Sequence, residues 1–147
     1  MSLAREWLKR ATARLKQAAV DSPSLSAQLI LAHVLSMDRE RMYLELRSLG
    51  PTQEQLQSAE QLLARREQGE PVAYLLGQRE FYGLDFAVDK GVLIPRPESE
   101  LLVEQGIQAL KHHSGKEPVF ADLGTGSGAL AICLAVHAPA AKGLALD

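Results

Sequence analysis

Seven consecutive residues carry the clearest chemical content of the chain. Asp122-Leu123-Gly124-Thr125-Gly126-Ser127-Gly128 alternates three glycines with other residues behind a carboxylate. Where glycines replace side chains the backbone can approach a ligand, and where such a loop opens a helix the free amide hydrogens of the first turn face that ligand. This is the pattern of a nucleotide-type cofactor loop. In isolation, Gly124, Gly126 and Ala129 also satisfy the G-x-G-x-x-A spacing of a dinucleotide fold, and glycine clusters are often only turns. Asp147 follows Gly128 by 19 residues, at the end of the next expected strand. A carboxylate there can accept hydrogen bonds from both ribose hydroxyls of an adenosine-containing ligand. Asp122 admits a plainer role, a strand-end residue holding the turn.

These residues need a strand on each side of the loop and a helix after it. Val119-Phe120-Ala121 reads as a short buried strand, Ala129 to Ala138 as a helix and Gly143-Leu144-Ala145-Leu146 as a second strand, giving a βαβ unit that needs further parallel strands to bury both faces. Ahead of it a helix is expected to open at Pro97, with Glu98 and Glu100 in its positive first turn. Leu101, Leu102, Ile107 and Leu110 are its candidate buried side, and His112-His113-Ser114-Gly115 closes it. Phe81 to Val88 alternates and is aromatic, Asp89-Lys90-Gly91 is a turn signal and Val92-Leu93-Ile94 follows, so a β-hairpin is expected.

Up to Gly69 the chain reads as helices. Leu3, Trp7, Leu8, Ala11 and Leu15 form one apolar stripe, with Arg5, Lys9 and Lys16 solvated and Arg10 and Arg14 read as surface charge. Leu25, Leu29, Ala32 and Leu35 form a second stripe after Asp21-Ser22-Pro23. A third, shorter helical stretch ends at Gly50-Pro51. Thr52-Gln53-Glu54-Gln55 has capping-box form and opens a long helix with Leu56, Ala59, Leu62 and Leu63 on its core face, which Gly69 stops. The expected organisation is a helical bundle over 1–75, a β-hairpin linker over 76–96, and the βαβ-containing part over 97–147.

Bulk properties exclude more than they name. Eleven basic residues face ten acidic ones up to position 80, and five face eight beyond it, so neither part offers a polyanion-binding surface and no direct nucleic-acid contact is expected. The single cysteine, Cys133, cannot form an intramolecular disulfide, and no apolar run approaches the roughly 18 residues of a membrane span. A cytoplasmic protein is expected. The cationic, amphipathic N-terminus raises a transit peptide, against which Glu6 and the direct continuation into structured sequence argue. His33 has no partner at metal-ligand spacing, and adjacent His112 and His113 point about 100° apart on a helix, so no metal site is expected.

Asp122, two residues ahead of the first glycine, resembles the acidic position of the first motif of class I methyltransferases. The longer run GEPVAYLLGQREFYGLDFAVDKGVLIPRPESELLVE, Gly69 through Glu104, followed by DLGTGSG, resembles the peptide chain release factor N5-glutamine methyltransferases, and the preceding helices resemble that family's N-terminal bundle in size and order. Within Ile94-Pro95-Arg96-Pro97-Glu98-Ser99-Glu100 the double-proline arginine pattern is the part from which the related ribosomal-protein glutamine methyltransferases depart, and Ser99 stands where Thr is commoner.

The resemblance implies a fold of α + α/β class: the bundle, the hairpin, then a truncated start of a class I, Rossmann-like methyltransferase domain. It implies S-adenosyl-L-methionine as cofactor, held by Gly124, Thr125, Gly126, Ser127, Gly128, Asp122 and Asp147, with Arg96 in a segment walling the pocket. It implies a release factor as partner, docked by the bundle and methylated on the glutamine of its Gly-Gly-Gln tip. The family's Asn-Pro-Pro-Tyr segment, which holds the substrate amide, is absent from these 147 residues, so no residue here is expected to be catalytic and the chain as given is expected to be inactive. The rival readings are a ribosomal-protein glutamine methyltransferase, a non-catalytic release-factor docking fragment, an NAD-binding oxidoreductase, and, more weakly, a DNA methyltransferase.

Overall fold

The computed structural model describes residues 2–114 and 117–147 and divides the chain into two compact units, Met1–Leu76 and Gly77–Asp147. The expected closing residue Gly115 lies outside the described residues.

The first unit consists of α1 (Leu3–Gln17), α2 (Pro23–Val34), α3 (Arg39–Glu45), α4 (Gln53–Glu67) and the short α5 (Val72–Leu76). Each long helix begins where its sequence provides an acceptor or a proline. The Ser2 hydroxyl accepts from the Arg5 amide, Pro23 opens α2, and Asp38 accepts from the Arg41 amide. The capping box at α4 is formed: the Gln55 amide donates to the Thr52 hydroxyl at 3.2 Å and the Thr52 amide donates to the Gln55 side chain at 2.9 Å. Gly69 takes the left-handed φ of +91° that ends this helix.

The core joins Trp7, Leu8, Ala11 and Leu15 of α1 to Ile30 and Leu31 of α2, Met42 of α3, Ala59 and Leu63 of α4 and Leu75 of α5. The α1 stripe is the expected one except at its start, where Leu3 is exposed and Ala4 is buried in its place. The α2 stripe is not: Ser26, Ala27, Ile30, Leu31 and Ala32 are buried, whereas Leu25 is 41% exposed and Leu29 and Leu35 are half-buried. This helix is apolar around most of its circumference, so periodicity fixes its rotation weakly and packing against α1 and α4 decides it.

Two polar networks sit at the margin of this core. Glu60 of α4 accepts from Trp7 Nε1 at 2.8 Å, Arg10 at 2.8 Å and Arg14 at 2.6 Å, and Arg14 also grips Glu67. The buried Arg66 guanidinium donates to the Ser26 hydroxyl, the Glu70 carbonyl and Asp21, tying α4 to the start of α2. Arg10 and Arg14, read as surface charge, are therefore ion-paired. Burial pushes the Glu60 pKa up, but hydrogen bonds from Arg10 and Arg14, the charge of Arg14 and the Trp7 donor outweigh it and hold the carboxyl below its ordinary range.

A group with a depressed folded pKa contributes stability that is present above the unfolded value, about 4.3 for glutamate, and is lost as pH falls through the folded value. The melting temperature of the first unit should accordingly hold from neutral pH to near 5 and drop below 4. Glu60→Gln should flatten that drop, and an unchanged acid limb in this variant would remove Glu60 from the explanation. Because its caps and stripes are internal, residues 1–76 expressed alone should also melt cooperatively with dispersed amide resonances.

The second unit holds β1 (Gln78–Phe81), β2 (Leu84–Ala87), a 3-10 turn (Pro97–Ser99), α6 (Glu100–Lys111), β3 (Val119–Leu123), α7 (Ala129–His137) and β4 (Lys142–Leu146). β1 and β2 pair antiparallel, with Phe81 opposite Leu84, around the two-residue turn Tyr82-Gly83. Both turn residues have positive φ, 51° and 77°, as a type I′ hairpin requires. The hairpin is thus folded inside the run expected to be one strand, and Val92-Leu93-Ile94 is not a strand. The Glu100 carboxylate accepts from the Tyr82 amide at 3.0 Å and Glu80 accepts from the Gly83 amide at 2.7 Å, which closes the turn.

Phe81 and Phe86, in edge contact with ring centroids 6.3 Å apart, pack with Val103 and Ile107 of α6 and Ala129 and Cys133 of α7. Of the four residues expected on the buried side of α6 only Ile107 is fully buried; Leu101 and Leu102 are each 60% exposed, Leu110 is half-buried, and Val103 takes the central position. α6 begins only at Glu100, after the 3-10 turn over Pro97–Ser99, and packing against the hairpin and α7 selects the face bearing Val103 and Ile107. Gly106 allows α6 and α7 to approach, since a Cβ there would meet a Leu134 methyl at 2.6 Å.

Candidate cofactor site

β3 and β4 are parallel neighbours connected through α7, so the expected βαβ unit is present. β3 is not the buried strand expected. Val119, Leu123, Leu144 and Leu146 lie exposed on one face of this two-stranded sheet, which nothing among the described residues covers.

The loop between β3 and α7 begins where β3 leaves the ladder. The Leu146 carbonyl of β4 accepts from the amides of both Gly124 (2.8 Å) and Thr125 (3.0 Å), turning the chain sharply at the strand end. Gly124, Gly126 and Gly128 then take φ of +74°, +53° and +76°. An L residue would be strained in each of these conformations. The space beside them differs. A Cβ at Gly124 or Gly126 would meet nothing within 4 Å, while one at Gly128 would come within 3.3 Å of Ile132. Gly128 is thus a packing glycine at the N-cap of α7, and Gly124 and Gly126 face open space.

Carboxylates brace this loop from both strands. Asp122, the penultimate residue of β3, accepts from the Thr125 hydroxyl at 2.8 Å, and Asp147, just past β4, accepts from the Gly126 amide through Oδ1 at 3.2 Å. Asp147 is exposed, so its remaining lone pairs face solvent. The Gly128 amide donates to the Thr125 carbonyl, whereas the amides of Ser127, Ala129 and Leu130 have no backbone acceptor among the described residues. These are the orphan donors of a helix N-terminus and can receive an anionic or polar ligand group.

The structure therefore brings Asp122, Gly124, Thr125, Gly126, Ser127, Gly128 and Asp147 into one cluster. It does not join Arg96 to them. Arg96 is exposed at the N-cap of the 3-10 turn, where its carbonyl accepts from the Ser99 amide, and no hydrogen bond or ion pair links its side chain to the loop among the described residues. Pro95, beside it, is buried. Behind the loop, Cys133 is buried with its thiol pushed up in pKa by desolvation, so it is a packing residue and not a nucleophile. Among the described residues no grouping of three His, Cys, Asp or Glu side chains could hold a metal ion, and no helix is long and apolar enough to cross a membrane.

Residues 6–77 match the family described as the PrmC N-terminal domain. Over 140 residues the chain is 43% identical to the release factor glutamine methyltransferase of Nitratidesulfovibrio vulgaris, covering 95% of this chain and 46% of that protein. It is 41% identical over 145 residues to the protein of that name from Chlorobaculum tepidum, covering 97% and 49%, and 40% identical over 141 residues to that of Escherichia coli, covering 96% and 49%. The chain spans about half the length of the curated relatives it matches.

Proposed function

The chain carries the PrmC N-terminal domain and belongs with the N-terminal portion of the release factor glutamine methyltransferases, and from that premise we propose that it serves methyl transfer from S-adenosyl-L-methionine to the side-chain amide nitrogen of the glutamine in a release factor's Gly-Gly-Gln motif. In this reading residues 97–147 begin a class I, Rossmann-like methyltransferase domain, the bundle docks the release factor, and the protein works in the cytoplasm during translation termination.

The observation that carries the reading is the loop's shape: two left-handed glycines opening onto empty space, with Asp147 bound to the amide of one of them. S-adenosyl-L-methionine supplies, when bound, a methyl group on a positively charged sulfur. This chain's residues would supply the holding. The backbone at Gly124 and Gly126 admits the ligand, the free amides at the start of α7 meet its polar end, and Asp147 accepts from ribose hydroxyls while keeping the loop in register. Asp122 fixes Thr125 and with it the loop's curvature. An amide nitrogen is a weak nucleophile, so the rate enhancement rests on orientation and preorganised electrostatics. The residue that would hold the substrate amide belongs to an Asn-Pro-Pro-Tyr segment, which these 147 residues do not contain.

Radiolabelled methyl transfer to a purified release factor tests this directly. No turnover is expected from the 147-residue chain and ready turnover from a polypeptide of the relatives' full length; comparable rates from both would refute the assignment of catalysis. Calorimetry with S-adenosylhomocysteine against NAD separates the cofactors, and preference for NAD would overturn the reading.

A further inference from the structure

α1 carries five cations between Arg5 and Lys16, and the fold divides them into two groups. Arg10 and Arg14 turn toward α4, where Glu60 and Glu67 neutralise them. Arg5, Lys9 and Lys16 lie on another face and make no ion pair among the described residues. These three line a groove of about 610 Å³ among α1, α2 and α3.

Its walls are of mixed character and single sign. Leu8, Ala13, Leu46 and the exposed ring of Tyr43 give apolar surface, Thr12, Ser24 and Gln28 give neutral hydrogen-bonding groups, and no carboxylate lines it. On α3 the nearest acid in sequence, Glu45, is engaged by Arg41 at 3.0 Å. Three unneutralised cations over an apolar floor suit a ligand bearing both carboxylates and apolar side chains. A phosphate backbone would match the charge but leave the apolar floor unused.

We propose that this groove receives an acidic, partly apolar peptide segment of the bundle's protein partner. The inference rests on the reading of the bundle as a docking module and adds to it the face and the chemistry of the contact. Charges of one sign around an apolar centre raise the association rate and fix register, while the apolar contact holds the complex.

The probe is a fluorescein-labelled peptide alternating Glu and Leu, titrated with the 147-residue chain by anisotropy, with an alternating Lys and Leu peptide and a single-stranded oligoribonucleotide as comparisons. Saturable binding of the acidic peptide alone is expected, weakening steeply with added salt. Arg5→Glu/Lys9→Glu should weaken it about tenfold or more, since two attractions become repulsions. Lys111→Glu, in the second unit, should not. A purified release factor is titrated in parallel. Release-factor binding that survives Arg5→Glu/Lys9→Glu would overturn the groove while leaving the docking role intact. Acidic-peptide binding without any release-factor binding would uphold the groove and overturn the docking role. Tighter binding of the oligoribonucleotide, salt-insensitive binding of the acidic peptide by the unmodified chain, or equal weakening by Lys111→Glu would overturn the proposal. The salt series needs no variant and stands even if the double variant unfolds, which circular dichroism reports.

Discussion

Gly126→Val, placed in a polypeptide of the relatives' full length, should weaken S-adenosylhomocysteine binding on the order of a hundredfold, equivalent to roughly 3 kcal/mol, with a smaller loss of fold stability. Two effects contribute, and the structure separates them. The first is conformational: φ at Gly126 is +53°, where an L side chain costs roughly 1–2 kcal/mol and a branched one more. The second is spatial: a Cβ at this position meets nothing within 4 Å, so the side chain would extend into the space proposed for the ligand. Gly128→Val provides the contrast, since there a Cβ also meets Ile132 at 3.3 Å and the variant should lose more stability than Gly126→Val. Calorimetry paired with thermal melts distinguishes the outcomes. Unchanged affinity in Gly126→Val would move the ligand away from this loop. Equal damage to folding and binding would make the glycine a structural one.

Much of this site was legible because its constraints are local. A run of glycines between a strand and a helix states in sequence what the backbone must do, and the spacing from Gly128 to Asp147 placed the second carboxylate at the next strand end, where it indeed meets the Gly126 amide. The capping box at Thr52 and the stop at Gly69 are equally local and took their expected forms. What sequence reasoning missed depends on partners distant in the chain. The rotations of α2 and α6 are set by what they pack against, and both helices carry more apolar residues than one face can bury. The hairpin was misplaced because Asp89-Lys90-Gly91 is the stronger turn signal by composition, whereas Tyr82-Gly83 turns with help from Glu80 and Glu100. The pairing of Arg10 and Arg14 with Glu60 had a faint signal, acids on α4 one turn from its apolar stripe, but only the fold brings them to within hydrogen-bonding distance of α1.

Glu60→Ala should be the most destabilising single change at the edge of the bundle, by roughly 2–3 kcal/mol, because of the donor it leaves behind. Trp7 is 1% exposed and its indole N–H has Glu60 Oε1 as its acceptor at 2.8 Å. Alanine removes the acceptor without providing another, so the buried N–H bears its desolvation cost in full. Arg10 loses its carboxylate as well, while Arg14 retains Glu67. Arg10 is 61% exposed and Arg14 and Glu60 about a third, so the Coulombic part of these pairs is screened and modest, and the orphaned indole dominates. For a unit of this size each kcal/mol lowers the melting temperature by roughly 4–8 °C, giving a drop on the order of 10–20 °C. Glu60→Gln keeps an acceptor for Trp7 and loses only the charge, and should recover most of the stability at neutral pH. In a Trp7→Phe background, where no indole N–H remains, Glu60→Ala should cost less than half as much. Equal losses for Glu60→Ala in both backgrounds would assign the stabilisation to the arginines instead of the indole.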